Sequence, residues 1–396
     1  MKKYTMPENS KKIHVFTSAA YNYLPKVRVL FNSIRKTHPN WRLHLLLVDD
    51  NKSLIDIELE DFDEVHSIDE LDIPNFKSWI FKHSIVELAT AVKPFLLVKL
   101  LERQDCDAVI YFDPDISIFS SLEELIQVFA NNSIVLTPHL TEQDFGLDAI
   151  LDNEISCLKH GTYNLGFIGV KADSNGLKFG HWWRDRLYHF CYDDIPSGLF
   201  TDQKWIDLVP ALFEGVEILR SPQYNVAPWN IANRILEIDV FGRYLVNSMP
   251  MSFYHFTGFD SGAHKIMAVK NSRANPNVIK IIEWYSSELD KYKVQKRGWG
   301  YDSYSNGVKI SREQRLIYRS RNDLQITFPD PFLSSSFLEW WESQGKIEYP
   351  DYFYQNLSDP VEIKENRKSR ITYKKIIEKL LFLFKYKITI ILNRIK

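Results

Sequence analysis

Apolar positions along the chain switch repeatedly between strand-like runs and helical spacing. Residues 13–17 form a short strand; Pro25 then opens a segment in which Val27, Leu30, Phe31 and Ile34 recur at helical intervals. Residues 43–48 are a near-continuous apolar run that stops at Asp49 and Asp50, the pattern of a strand buried on both faces. A long helical pattern follows over 76–102, interrupted at Pro94, and residues 108–112 form another buried strand that breaks at Asp113. Residues 121–130 read as a helix capped by Ser120 or Ser121, with Glu123 and Glu124 in its first turn. Strands are predicted over 133–137 and 163–170, and helices over 179–191 and 202–213. This alternation predicts an α/β fold with a parallel or mixed sheet covered by helices on both sides. Ligands in such sheets bind beyond the carboxyl ends of the strands, which is where Asp113 stands.

After Met267 the pattern changes. A helical segment over 278–292 leads into a polar stretch rich in Ser, Tyr and Asn, and a mainly helical C-terminal region is expected. A boundary near residue 275 divides the chain into a main domain over 1–275, an accessory region over 276–365 and a tail over 366–396. At 396 residues the chain is long for one core, which agrees with one large domain and an appendage. Glu378 is the only acid from Arg367 onward, and Ile377, Leu381, Phe384, Ile388, Ile391 and Ile395 form a stripe flanked by Lys375, Lys379 and Lys385. Such a basic amphipathic helix fits an anionic membrane surface; it also fits packing against protein.

Composition removes several function classes. Hydrophobic residues at 45% and charged residues at 25% describe an ordinary globular chain, and a net charge of −2 gives no steering toward nucleic acid. Cys106, Cys157 and Cys191 are odd in number and widely spaced, so neither a disulfide framework nor a zinc knuckle is expected. No apolar run has signal-peptide or membrane-spanning length. A cytoplasmic protein is predicted, with the tail as its possible contact to the inner face of the cell membrane.

The sharpest chemical feature is Asp113-Pro114-Asp115, directly after an apolar strand. Pro114 cannot continue the ladder, so both carboxylates are free to face a crevice. A divalent cation would relieve the cost of placing them there, yet Asp-Pro-Asp alone reads equally well as a capped turn. His255, after Phe253-Tyr254, reads alone as a core histidine; beside two carboxylates it reads as a third ligand. Asp202 fits the first turn of a helix as well as it fits a site. Trp229 alone reads equally well as domain packing or as an aromatic face open to a ligand. His139, His160, His181 and His189 show no metal spacing and read as ordinary.

Taken together, these motifs resemble the GT-A-fold glycosyltransferases, in particular the retaining family-8-like enzymes of bacterial surface polysaccharide synthesis. The resemblance spans about residues 12–262. It is carried, in order, by Val15-Phe16-Thr17-Ser18-Ala19-Ala20-Tyr21, Ala91-Val92-Lys93-Pro94-Phe95, Tyr111-Phe112-Asp113-Pro114-Asp115, Tyr163-Asn164-Leu165-Gly166-Phe167, Thr201-Asp202-Gln203 and Tyr254-His255-Phe256-Thr257-Gly258. It implies a mixed sheet and a Mn²⁺ or Mg²⁺ ion held by Asp113, Asp115 and His255. It also implies a nucleotide-sugar donor, typically a UDP-sugar, contacted by Thr17, Ala19, Tyr21, Lys93, Asp113 and Asn164. Asp202 and Gln203 would lie at the reacting carbon, and Trp229 on the side of a glycan or lipid-linked acceptor. The family's Lys-Pro-Trp segment is replaced here by Phe259-Asp260-Ser261-Gly262-Ala263-His264-Lys265, which leaves Lys265 as the candidate cation for the leaving phosphate. An amide is a poor nucleophile, so Gln203 favours front-face substitution over a covalent intermediate. Rival expectations are a sugar nucleotidyltransferase, disfavoured by the lack of glycine in Thr17-Ser18-Ala19-Ala20, and a sugar-nucleotide-binding module without catalysis.

Overall fold

The computed structural model describes residues 11–50 and 52–354. The chain divides into two compact units between Glu339 and Trp340. The described part of the second unit is a short run of helical turns, Trp341–Gly345, Lys346–Glu348 and Asp351–Tyr354. The basic tail expected over 366–396 lies outside the described residues. Among them no helix is long and apolar enough to cross a membrane.

The first unit is built on a seven-stranded mixed sheet. Its strands are β1 (Ile13–Ala19), β2 (Arg42–Leu47), β3 (Glu64–Ser67), β4 (Ala108–Phe112), β6 (Ile134–Pro138), β7 (Tyr163–Lys171) and β8 (Val216–Ile218), with β5 (Ile116–Ile118) outside the sheet. Across the sheet the order is β8-β6-β7-β4-β1-β2-β3. β7 runs antiparallel to both neighbours, while β4, β1, β2 and β3 run parallel. β4 is buried along its whole length, as its unbroken apolar run predicts, and β1 is equally buried although it carries His14, Thr17 and Ser18.

Successive residues of these strands feed opposite layers. Val15, Leu45 and Ile110 pack under α1 (Leu24–Thr37), whereas Phe16, Leu46 and Val109 face the other layer. That second layer includes α4 (Lys93–Leu101) and α6 (Ser174–Phe190), the latter burying Phe179, Trp183 and Leu187.

The helical pattern over 76–102 is not one helix. It divides into α2 (Phe76–Phe81), α3 (Ile85–Ala91) and α4, with α5 (Glu123–Val128) following later. Ser84 starts α3 with a capping box in which Glu87 returns a bond to the Ser84 amide, and Pro94 sits in the first turn of α4. Residues 202–213 likewise form only a 3-10 segment, Lys204–Leu208, and a single turn, Val209–Leu212. Asp202 and Gln203 therefore precede the helical turns instead of opening a helix.

Beyond β9 (Phe253–His255) come α7 (Ala263–Asn271) and α8 (Pro276–Lys291). The boundary expected near 275 lies inside the first compact unit. α8 buries Val278, Ile281, Ile282 and Tyr285 in a core shared with Tyr254 and Phe256. The segment after α8 returns to the strand ends: Trp299 donates to the Val48 carbonyl at 2.9 Å, and the Gly300 amide to Asp49 at 2.8 Å.

Candidate active site

The site forms where β4 ends. The Asp113 amide donates to the Gly166 carbonyl at 2.8 Å, fixing the break point against β7. After Pro114, β5 pairs antiparallel with β9 so that Ile116 lies opposite His255. The Phe256 amide donates to the Asp115 carbonyl at 2.8 Å. This short ladder, with no counterpart in the apolar pattern, carries His255 to the acidic pair. His255 Nε2 lies 3.1 Å from Asp115 Oδ1 and 3.8 Å from Asp113 Oδ2. Ligand atoms of these residues all fall within 4.8 Å of one another.

A hydrogen-bond relay orients the imidazole. His139 Nδ1 contacts the Thr162 carbonyl at 3.2 Å, and Asn164 Nδ2 contacts His139 Nε2 at 3.2 Å. Asn164 Oδ1 then faces His255 Nδ1 at 3.1 Å. A carbonyl at the start of the relay requires the proton on His139 Nδ1, so Nε2 accepts from Asn164. Asn164 Oδ1 in turn accepts from His255 Nδ1–H, and His255 Nε2 is the atom presented to the carboxylates. This is the outer-partner arrangement of a metal-ligating histidine. Two carboxylates and one such nitrogen suit Mn²⁺ or Mg²⁺ with coordination positions left over.

Electrostatics agree with a poised pair. Burial alone would lower the His255 pKa, but Asp115 and then Asp113 outweigh it and hold it raised. Burial likewise pushes Asp115 up, and His255, with Lys26 beyond it, brings its pKa below the ordinary value.

Lys93 is the first residue of α4 and almost wholly buried. Its ammonium lies 2.8 Å from Asp202 Oδ2, 3.3 Å from Asp113 Oδ1 and 4.1 Å from the Tyr111 ring centre. Tyr111 itself donates to Asp113 at 2.5 Å. Burial opposes the charge on Lys93, yet Asp113 and Asp202 overcome it and raise its pKa. Burial also raises the pKa of Asp202 despite the nearby Lys93. One ammonium thus serves two carboxylates and stays charged, while the deeply buried Asp202 is costly to ionise.

Thr201, just before Asp202, takes φ of 45°, a conformation that a β-branched residue rarely adopts. Gln203 is fixed at both ends of its amide, accepting from the Leu165 amide at 3.1 Å and donating to the His160 carbonyl at 3.1 Å.

Two cavities meet at these groups. The larger, about 580 Å³, is lined by Asn164, Gln203, Trp229 and His255 among others. The smaller, about 220 Å³, lies over Ser18, Ala19, Tyr23 and Asp115. Lys93 and Asp113 line both.

The structure therefore brings together Lys93, Asp113, Asp115, Asn164, Asp202, Gln203 and His255, with Trp229 edge-on to His255 at 5.5 Å. Ala19 lines the smaller cavity. The Thr17 side chain is buried within β1, and the Tyr21 amide donates to Asp49 at 3.2 Å. Lys265 is not brought in: it is exposed on α7, and its neighbour His264 faces inward, with Nδ1 at 3.0 Å from the Thr257 carbonyl. Sequence reasoning missed His139 and His264. His139 has no partner at metal spacing because its role is to accept from Asn164. It also missed Lys26, a buried lysine of α1 paired with Asp260 at 2.6 Å.

No family model matches the chain. It is similar to the uncharacterized protein YfnD of Bacillus subtilis (strain 168), 25% identical over 257 residues that cover 62% of this chain and 78% of that protein. It is also similar to the uncharacterized protein YfnF of the same organism, 27% identical over 176 residues, 44% of this chain and 57% of that protein. Among solved structures it is similar to the galactosyltransferase LgtC in complex with donor and acceptor sugar analogs. That match has 19% identity and a TM-score of 0.41, and covers 72% of this chain and 98% of LgtC. The glycosyltransferase GlyE of Streptococcus pneumoniae TIGR4 matches with 17% identity and a TM-score of 0.39, over 71% and 64% of the two chains.

Proposed function

We propose that the chain is a metal-dependent hexosyltransferase that moves a sugar from a nucleotide diphosphate, with UDP as the expected nucleotide, to a surface-glycan acceptor. The observation that carries this reading is the convergence of Asp113, Asp115 and His255 at the carboxyl end of β4, between two cavities that share Lys93 and Asp113. A bound Mn²⁺ or Mg²⁺ there would neutralise diphosphate charge as the leaving group departs.

The remaining roles belong to the chain itself. The smaller cavity, roofed by the loop after β1, would take the nucleotide, and the larger one the sugar. Lys93 holds Asp113 and Asp202 in position and keeps positive charge beside the donor. Gln203 and Asp202 are both engaged, the first by backbone and the second by Lys93. Neither is free to attack carbon as a nucleophile. This favours front-face substitution, in which the acceptor hydroxyl attacks from the leaving-group side and gives its proton to a departing phosphate oxygen. Trp229 presents a buried indole N–H without a hydrogen-bond partner beside the larger cavity, which suits an acceptor hydroxyl.

The acceptor proposed is a glycan or lipid-linked glycan at the inner face of the cell membrane, with the protein in the cytoplasm and its basic tail on anionic lipid. Co-sedimentation with anionic liposomes tests the tail: the full chain should pellet, and a chain ending at Glu365 should not. The activity is tested by incubating the protein with Mn²⁺ and a panel of nucleotide sugars and following nucleoside diphosphate release by mass spectrometry. Release from one or a few UDP-sugars is expected. Tight binding of UDP and Mn²⁺ without turnover of any donor and acceptor combination would instead indicate a binding module.

A further inference from the structure

Three histidines form a buried diagonal across β1, β2 and β3, from the second residue of β1 to the penultimate residue of β3. His14, His44 and His66 stand on neighbouring strands, and His14 and His44 have no exposed surface. His14 Nε2 meets the Asp105 carbonyl at 2.9 Å, His14 Nδ1 meets His44 Nε2 at 2.9 Å, and His44 Nδ1 meets His66 Nε2 at 3.1 Å. Glu64, directly opposite His44 in the β2–β3 register, places Oε2 at 3.7 Å from His44 Nδ1 and 3.6 Å from His66 Nε2.

Proton bookkeeping along the diagonal fixes which atoms carry lone pairs. The Asp105 carbonyl can only accept, so His14 carries its proton on Nε2 and accepts at Nδ1. His44 therefore donates from Nε2, and its Nδ1 bears an electron pair. That pair faces His66 Nε2 and the Glu64 carboxylate. Without a cation, His66 Nε2–H donates to His44 Nδ1. If His66 carries its proton on Nδ1 instead, three electron-pair donors converge and no net proton is lost.

The triangle formed by His44 Nδ1, His66 Nε2 and Glu64 Oε2 has sides of 3.1, 3.6 and 3.7 Å. A point equidistant from its corners lies about 2.0 Å from each, close to the bond lengths of zinc to imidazole nitrogen and carboxylate oxygen, roughly 2.0–2.2 Å. We propose that His44, His66 and Glu64 form a second cation site, selective for a borderline transition-metal ion such as Zn²⁺ or Co²⁺, which ties the edge strand β3 to β2.

The surroundings bear on both fit and selectivity. Burial disfavours a proton charge on all three imidazoles, lowering the pKa of His44, His14 and His66. His14 acts as the outer partner that orients His44. Arg103 contacts both Glu64 oxygens at 3.0 Å, and Arg42 contacts Oε1 at 3.2 Å. These guanidinium groups hold the carboxylate still and also repel a cation. An ion held mainly by its charge, such as Mg²⁺ or Ca²⁺, is thereby disfavoured against one that bonds strongly to imidazole. Glu64 is about a quarter exposed on the edge strand, which gives the ion a route in.

The inference does not depend on the proposed transferase activity. Its test uses the full chain carrying Asp113→Asn and Asp115→Asn, so that the acidic site cannot answer for it. Co²⁺ alone is titrated and followed by its visible ligand-field absorption, and Zn²⁺ is then added in competition. One equivalent of Co²⁺, displaced by Zn²⁺, is expected. Adding His66→Gln, or separately Glu64→Gln, should weaken binding by at least the roughly 10–100-fold that even an outer partner of a ligand is worth. The partly exposed Glu64→Gln variant serves if His66→Gln does not fold, as judged by its urea midpoint in chelator. Absence of a Co²⁺ band in the starting protein, or equal affinity in folded His66→Gln or Glu64→Gln protein, overturns the proposal.

Discussion

Gly166 lies so close to His255 that a Cβ on it would come within 2.5 Å of His255 Cε1 and 2.7 Å of Nδ1. It would also come within 2.8 Å of Asn164 Oδ1, the acceptor that orients the imidazole. The absence of a side chain on β7 is thus what allows the imidazole to lie between Asn164 and the acidic pair.

Gly166→Ala should therefore act on the cation site more than on the fold. One methyl in this packed region should cost about 1–3 kcal/mol of stability, the usual range for overpacking. Mn²⁺ affinity, followed by electron paramagnetic resonance titration, should fall about tenfold or more as His255 is pushed off its partner. Unchanged affinity in a folded variant would mean that His255 is not a ligand.

Removing Lys93 should expose the cost of its buried partners. Lys93→Met leaves Asp202 without its ammonium, and breaking such a buried pair typically costs about 3–5 kcal/mol. Combining Lys93→Met with Asp202→Leu should recover much of that stability in urea unfolding, while donor turnover stays lost in both proteins. A double variant no more stable than Lys93→Met would contradict the pairing.

Much of this arrangement was legible in the sequence because it lies on strong local patterns. The apolar runs placed β2 and β4, a short strand pattern placed β1, and the break at Asp113 marked the crevice. The Asn164, Asp202-Gln203 and His255 motifs all fall around one cavity. What escaped depends on contacts between distant segments. The β5–β9 ladder is only three residues long on each side, too short to leave a periodic signal. β3 carries one apolar residue in Glu64-Val65-His66-Ser67, too little for an edge strand to leave an apolar signal. The Ser84 capping box was readable but was overridden by the continuous helical spacing around it. Lys265 was chosen by distance along the chain, whereas helix phase turns it outward and His264 inward.

Acid should destabilise the fold before carboxylates titrate. Burial lowers the pKa values of His38, His139 and His264 to about 4 and that of His44 to about 2. The unfolded chain binds protons at these residues from about pH 6.5 downward while the folded chain does not, so stability falls as pH drops from about 6.5 to 4. Each such histidine adds a slope of about 1.4 kcal/mol per pH unit within its window. His255, whose pKa is raised, has the opposite sign: its contribution is complete below about 6.5 and is lost only as pH rises through its folded value. Urea midpoints measured from pH 7 to 4 should therefore decline throughout, and a flat profile down to pH 5 would contradict the neutral buried state.

The most direct measurement of the central claim is nucleoside diphosphate release from the preferred UDP-sugar with Mn²⁺ present, comparing the native chain with Asp113→Asn and Asp115→Asn. These changes preserve shape and remove charge. The cation's share of transition-state stabilisation is several kcal/mol, so turnover in each should fall about 10³-fold while the urea midpoint stays near that of the native chain. Turnover at native speed in either folded variant, or native turnover undiminished by a chelator, would contradict the account.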